Sequence, residues 1–184
     1  CGTAMKTLYT ILCSLLFTLS ASAQLQWQST ASSQLQISEI NGGTALSAGL
    51  SAGVHFQHWD LEFYSLRSLR PARTERQESG LREHGLRGQY FAPVHEYFKI
   101  GGGLGAGWGK ASFEPRQNYA TEGKRWADVW MLNPEVGVAV PLGPHFSLHY
   151  TTGFRFVFGA SHLEERGCGS YSSLYNSLVL RLRL

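Results

Sequence analysis

From Phe146 to Phe158 the chain reads FSLHYTTGFRFVF. Even-numbered positions are bulky and apolar apart from Thr152, while most odd positions are small or polar. A repeat of two is the period of a β-strand, whose successive side chains leave on opposite faces. The polar parity holds His149 and Arg155, and the apolar parity is heavily aromatic. Such a strand suits hydrocarbon on one side and a polar interior on the other.

The same grammar recurs along the chain. Parity predicts eight strands: Gln24 to Ile37, Thr44 to Phe56, Leu61 to Leu69, Leu81 to Phe91, Tyr97 to Ala111, Trp126 to Val140, Phe146 to Phe158 and Tyr171 to Leu184. Three joints are tight, around Gln57-His58-Trp59-Asp60, Pro93-Val94-His95-Glu96 and Leu142-Gly143-Pro144-His145. They alternate with long polar joints over Arg70 to Gly80, Ser112 to Arg125 and Gly159 to Ser170. Short turns on one rim and long loops on the other are expected of an outer-membrane barrel, with the short turns and both termini in the periplasm. The remaining joint, Ser38 to Gly43, contains Asn41-Gly42, a two-residue hairpin signal.

Parity also assigns the faces. Leu46, Leu50 and Val54, then Ile100, Leu104 and Trp108, Val136 and Val138, and Leu178, Leu180 and Leu182 point to lipid. The facing set is Ser47, Gly49, Ser51 and His55, the glycines from Gly101 to Gly107, Asn133 and Glu135, with Arg181 and Arg183. Eight strands enclose a bore just wide enough for side chains. Glycines opposite long charged residues therefore make steric sense. Trp108, Trp126 and Trp130 predict one aromatic girdle, and Trp59, Tyr90, Phe91, Tyr97 and Phe98 the other. Arg82 and His84 fall on the lipid parity, which places them above the hydrocarbon near the outer rim. Pro134, inside the sixth strand, predicts a bulge or a late start to the membrane segment, because proline donates nothing to a ladder.

Compartment is read from the N-terminus. Met5 and Lys6 precede an apolar run from Leu8 to Leu19, and Ala21-Ser22-Ala23 forms a small-x-small site before Gln24. This is the pattern of a secretory signal peptide, too short for a spanning helix. Residues 1–23, including Cys1 to Ala4 ahead of the methionine, are set apart, leaving 24–184 as one domain. The mature part retains one of three cysteines, Cys168, so no internal disulfide is expected. The formal charge of +3 becomes +2 without Lys6, too little for a nucleic-acid partner. A soluble barrel with its apolar parity inward would have to show water a face dominated by glycine and serine, and is disfavoured.

Three stretches carry a family resemblance: Tyr97 to Trp108 (YFKIGGGLGAGW), Asn133 to Val138 (NPEVGV) and Ser177 to Leu184 (SLVLRLRL). They resemble the small eight-stranded outer-membrane barrels typified by the membrane domain of OmpA, by OmpX, and by the broad outer membrane protein β-barrel domain family. The resemblance implies an all-β, antiparallel up-and-down transmembrane barrel embedded among outer-membrane lipid and lipopolysaccharide and inserted by the barrel-assembly machinery. That family usually ends its last strand on an aromatic residue, where this chain has Leu184. Degenerate motifs of this kind inform architecture more than activity.

Candidate site residues fall into two groups. Glu83, Arg87, Glu135, Arg155, Arg181 and Arg183 sit on inward parities and are expected to form a salt-bridge network filling the lumen, since buried charges need partners. Glu62 belongs with them if its strand follows the same parity. Arg70, Arg73 and Arg76 lie in the first long joint as candidate surface contacts for phosphate groups or a surface partner, whose identity is open. Two catalytic look-alikes are set aside. Gly49-Leu50-Ser51-Ala52-Gly53 matches a nucleophile elbow in letters but lies mid-strand, and the glycine run at Gly101 precedes no helix that would hold phosphate. His145-Phe146-Ser147 resembles the catalytic pair of outer-membrane lipid A deacylases, although it lies at a turn on the wrong rim and lacks an acidic partner. His162 and Cys168 share a loop but two ligands do not make a metal site. No cofactor is expected. The reading is a nonenzymatic outer-membrane barrel with working surface loops; the alternatives are a narrow channel for ions or small solutes and a lipid A-modifying enzyme.

Overall fold

The computed structural model of the chain describes residues 27–74, 77–115, 125–159 and 171–184. The expected leader, the start of the first predicted strand, Arg76, His162 and Cys168 lie outside the described residues. Within them the strands are β1 (Gln28–Ile40), β2 (Gly43–Phe56), β3 (Trp59–Arg70), β4 (Ala72–Arg73), β5 (Gln77–His95), β6 (Phe98–Pro115), β7 (Arg125–Pro141), β8 (Phe146–Phe158) and β9 (Ser173–Arg183). β4 continues β3 past Pro71, and both pair with β5, so the two make one stave.

Every neighbouring pair is antiparallel, and β9 returns to pair with β1 from Thr30↔Arg183 to Ser38↔Tyr175. Eight staves therefore close into an up-and-down barrel. Closure gives every strand a partner on both sides, the condition for a sheet to stand in hydrocarbon, where an unpaired edge has no water to bond.

The turns follow local chemistry. Asn41 and Gly42 both take positive φ, 53° and 76°, as a two-residue hairpin turn whose twist matches its strands requires. The joint expected over Ser38 to Gly43 is only this turn, and β1 runs on to Ile40. Gln57, at φ 53°, starts the β2–β3 turn, while the N–H of Leu142 donates to the carbonyl of Phe146 (2.9 Å) across the β7–β8 turn. The β5–β6 turn falls at Glu96 and Tyr97, later than Pro93 suggested: the ladder passes Pro93 by a register shift before His95↔Phe98.

Pro134 does not create a bulge. β6 pairs through it without interruption (Leu104↔Pro134), and on its other side the ladder skips from Leu132↔Phe156 to Glu135↔Gly153 in an unchanged register. The missing donor costs a short gap and leaves the alternation intact.

That alternation sorts the faces as the sequence predicts. Leu50, Leu86, Val136 and Leu174 are all more than half exposed, whereas Glu62, Glu83, His149 and Arg181 are buried at 0–1 %. Phe154, Leu180 and Val138 stand on the outer face and do not meet around a cavity. The soluble, inward-apolar barrel is thereby excluded. On the turn rim Trp59 and Tyr90 pack at 5.0 Å and Trp27 stacks on Phe56 at 5.1 Å. Phe91 is a correction: it points inward, its ring edge-on to His149 at 5.0 Å. From Phe98 to Trp108 along β6, ten steps of about 3.3 Å at about 40° of tilt span about 25 Å, the height of an apolar outer-membrane belt.

Three strands overshoot that belt. β5, β6 and β7 run for 19, 18 and 17 residues, where about 9–11 suffice to cross. The surplus lies at the long-loop end, so much of Arg70 to Gly80 and the flanks of Ser112 to Arg125 are strand and not loop. The physical reason is continued pairing: Ala72↔Ser79 and Arg73↔Glu78 extend one ladder and Gln77↔Pro115 to Leu81↔Ala111 the next. Inside this overhang the lining changes character. Ile40, Leu81, Val129, Met131, Val157 and Tyr171 form an apolar cluster, with the Tyr171 hydroxyl donating to the carbonyl of Ser112 (3.1 Å). The interior is thus polar along the membrane and apolar above it, a division the uniform polar interior expected from parity did not contain.

Glycine permits the tight coil of so small a barrel at specific points. A Cβ at Gly101 would lie 1.8 Å from the Tyr90 carbonyl oxygen, whereas one at Gly88 would meet nothing within 4 Å. We therefore expect Gly101→Ala to abolish or sharply reduce the heat-modifiable, folded band on an unboiled gel, and Gly88→Ala to leave it intact.

Candidate functional site

The polar half of the bore holds two groups of buried ion pairs, linked through the rings and hydroxyls of Tyr64 and Tyr175. Its floor, nearest the turn rim, is Arg181 of β9, which pairs with Asp60 and, at 2.5 Å, with Glu62 of β3. The same guanidinium donates to Gln89 Oε1 at 2.8 Å. Asp60 also meets His55 Nδ1 at 2.7 Å. One level up, Arg87 of β5 pairs with Glu62 at 2.8 Å, approaches Glu135 at 3.9 Å and donates to Gln34 Oε1 at 3.1 Å. Glu135 of β7 accepts from Gln89 (2.6 Å), Tyr175 (3.1 Å) and Thr151 (3.3 Å). Highest, beneath the apolar cluster, Arg155 of β8 pairs with Glu83 of β5 at 3.1 Å, and Glu83 also accepts from Tyr64 at 2.5 Å and from Asn133.

Each contributing strand reaches this set through its inward parity, and β6 faces it with glycines, so the network bridges staves far apart around the ring. Two guanidiniums also lie over aromatic faces: Arg87 over Tyr64 and Arg155 over Tyr175, each 5.5 Å from the centroid. Such stacking suits guanidinium, which is planar and weakly hydrated. A space of about 10 Å³ remains among these groups, bounded by Gln36, Tyr64, Arg87, Asn133, Glu135 and Tyr175. That is about the room one water needs.

Of the six residues singled out from sequence, Glu83, Arg87, Glu135, Arg155 and Arg181 are brought into this set. Arg183 is not: it sits half-buried at the turn-side mouth, where its backbone exchanges contacts with His145. Glu62 and Asp60 are central to the set. The sequence reading places Asp60 in a turn, yet it shares the parity of Glu62 and Tyr64, and that alternation is the signal that could have found it. Tyr64, Tyr175, Gln34 and Gln89 escape a reading of charge, because uncharged residues on an inward parity look like filler. Of the surface trio, Arg70 ends β3, and Arg73 lies in β4 with its Nε 2.9 Å from Glu78, so both belong to a ladder and not to a free loop.

The catalytic look-alikes find structural roles. Ser51 is buried mid-strand, donating to Glu62 at 3.1 Å. Ser147 bonds to His149 Nε2 at 2.9 Å inside the bore, while His145 is exposed and meets the Arg183 carbonyl at 3.2 Å. The His145–Ser147 pair is therefore not assembled, because residues two apart on a strand share a face and His145 precedes the strand. No carboxylate bonds His149 Nδ1, since Asp60 is engaged by His55 and Arg181. Among the described residues no group of three or more His, Cys, Asp or Glu is arranged to hold a metal.

Removing one partner of a buried pair leaves the other charge uncompensated, at a cost of about 3–5 kcal/mol. Glu135→Ala and Arg155→Ala should each lower the unfolding free energy by that order in urea titrations of the refolded barrel. Arg73→Ala, which breaks only the exposed pair with Glu78, should cost less than about 1 kcal/mol.

No known family profile matches the chain, and no curated protein matches it by sequence. Solved structures do match in fold. Neisserial surface protein A (NspA) superposes with a TM-score of 0.56 at 12 % identity, over 86 % of this chain and 96 % of that one. A major outer membrane protein from Thermus thermophilus gives 0.54 at 12 % identity, over 86 % and 100 %. Ail, the attachment invasion locus protein of Yersinia pestis, in complex with the heparin analogue sucrose octasulfate, gives 0.51 at 13 % identity, over 88 % and 100 %. The closed ring of eight antiparallel staves, with its ionic interior and apolar exterior, is the fold of the small outer-membrane barrels.

Proposed function

We propose that the chain is a nonenzymatic integral protein of the bacterial outer membrane. Its sealed barrel anchors an extended β-tower, formed by β3 to β7, that works at the cell surface. The observation that carries this reading is the bore itself, which is crossed by buried ion pairs at three levels. Opening a continuous water path would break several of these pairs. The apolar cluster above them adds a second closure. This weighs against the channel.

The lipid A enzyme is disfavoured by geometry. Ser147 lies inside the bore, and a lipid approaching the outer face would meet Phe146 and Leu148 instead. The orientation that fits best puts the tight turns and both ends of the barrel in the periplasm, because the long strands and joints share the opposite rim. Residues 1–23 serve as the export signal, cleaved after Ala23, and insertion uses the barrel-assembly machinery.

Two measurements test the reading. Planar bilayers holding folded protein should stay silent, and a steady unitary conductance that shifts in Glu135→Ala would restore the channel. Export to the outer-membrane fraction with Gln24 as the new N-terminus is expected; retention of the leader in the mature protein would remove the processing scheme.

A further inference from the structure

The outer face of the barrel carries one row of charge that neither the bore nor the fold requires. Arg67 of β3 stands directly opposite Arg82 of β5, and Arg82 stands directly opposite Lys110 of β6. All three are exposed. Like charges in facing cross-strand positions repel and weaken the sheet, so three in succession are a cost without a structural return. Among the described residues the row's one counter-ion is Asp128 of β7, itself opposite Lys110, with an oxygen 3.9 Å from the ammonium and both groups well exposed. Among the same residues no carboxylate comes within 4.0 Å of Arg67 or Arg82. Arg82 is held by stacking on Trp126, 5.4 Å from the ring centroid.

Height and sidedness narrow the partner. One rung nearer the membrane, the same strands present His84, Trp108 and Trp130, paired in register. The cations thus stand just above the aromatic girdle, on the lipid side of the wall. The outward positions of β8, β9, β1 and β2 hold no Lys or Arg at all. The charge is confined to one sector and is not a ring for general solubility. A partner that meets this sector must lie alongside the barrel, not above it, and must bring negative charge at headgroup depth. Guanidinium forks match phosphate oxygens in pairs, and tryptophan below suits the headgroup boundary.

We propose that Arg67, Arg82 and Lys110 form a docking site for the phosphorylated headgroup of a lipid in the outer leaflet, with Trp108 and Trp130 bordering its acyl region. The proposal rests on the membrane-barrel reading above. Its test uses the folded full-length mature chain in detergent micelles, with bisphosphorylated lipid A and its dephosphorylated form as probes and native mass spectrometry as the readout. Wild-type protein should retain the phosphorylated lipid preferentially. R67Q/R82Q should reduce that retention roughly tenfold or more, given the size of single basic contacts at membrane surfaces. R73Q, whose partner is Glu78 on the same hairpin, should not.

Equal retention of the two lipids, or no loss in R67Q/R82Q, overturns the proposal. So does equivalent occupancy by inorganic phosphate at matched phosphate concentration, which assigns the row to soluble anions. Heat-modifiable mobility of each variant separates these failures from loss of the barrel. A protein that yields no folded band defeats the membrane-barrel reading itself, whereas a folded barrel without lipid preference defeats only the headgroup site.

Discussion

The structure depends on closing a sheet in a solvent that cannot bond to it. Hydrocarbon offers no partner to a free N–H or carbonyl, so every strand must have two neighbours, and β9 must find β1. Once the ring closes at eight staves its interior is too narrow for a stable column of water and must be filled by side chains. From that follow both the glycines that let the wall coil and the long residues that reach across it. Ion pairs are the consequence of filling a narrow space from strands whose outer face has taken most of the apolar residues.

The interior has two regimes because the barrel runs beyond its apolar outer belt on one side. Along the membrane the outward face is apolar and the inward face carries Asp60, Glu62, Glu83 and Glu135 against Arg87, Arg155 and Arg181. Toward the long-loop end the packing of Leu81, Val129, Met131 and Val157 is that of an ordinary protein core. The long-loop end is thus supported by burial of its own.

Much of this was legible from side-chain period alone. The stretch from Phe146 to Phe158 and the ending from Ser177 to Leu182 alternate so strictly that their faces follow without tertiary information. What was illegible depended on partners across the ring. Asp60 sits beside a turn in sequence, and only the closed barrel shows that it reaches Arg181 from the far side of the bore. Pro71 and Gly80 look like loop punctuation, but pairing through Ala72 and Arg73 overrides them. Phe91 reads as part of a girdle from its place near a strand end, yet it shares the inward parity of Glu83, Arg87 and Gln89 and so meets His149 inside the bore. The gap at Pro134 was foreseeable as a lost donor, whereas its containment without a bulge depended on the neighbouring strands. The row of Arg67, Arg82 and Lys110 needed register, since three distant residues become neighbours only when β3, β5 and β6 are aligned.

The central claim is that neighbouring residues of one stave face two different environments, hydrocarbon outside and a packed polar bore inside. It is tested most directly by placing single fluorophore-labelled cysteines along β9, in a Cys168→Ser background, and measuring quenching by bromine atoms on lipid acyl chains. Labels at Leu178 and Leu180 should be quenched strongly and those at Ser177 and Val179 weakly, alternating residue by residue. Uniform quenching, or strong quenching at Ser177 and Val179 with protection at the leucines, would contradict the account.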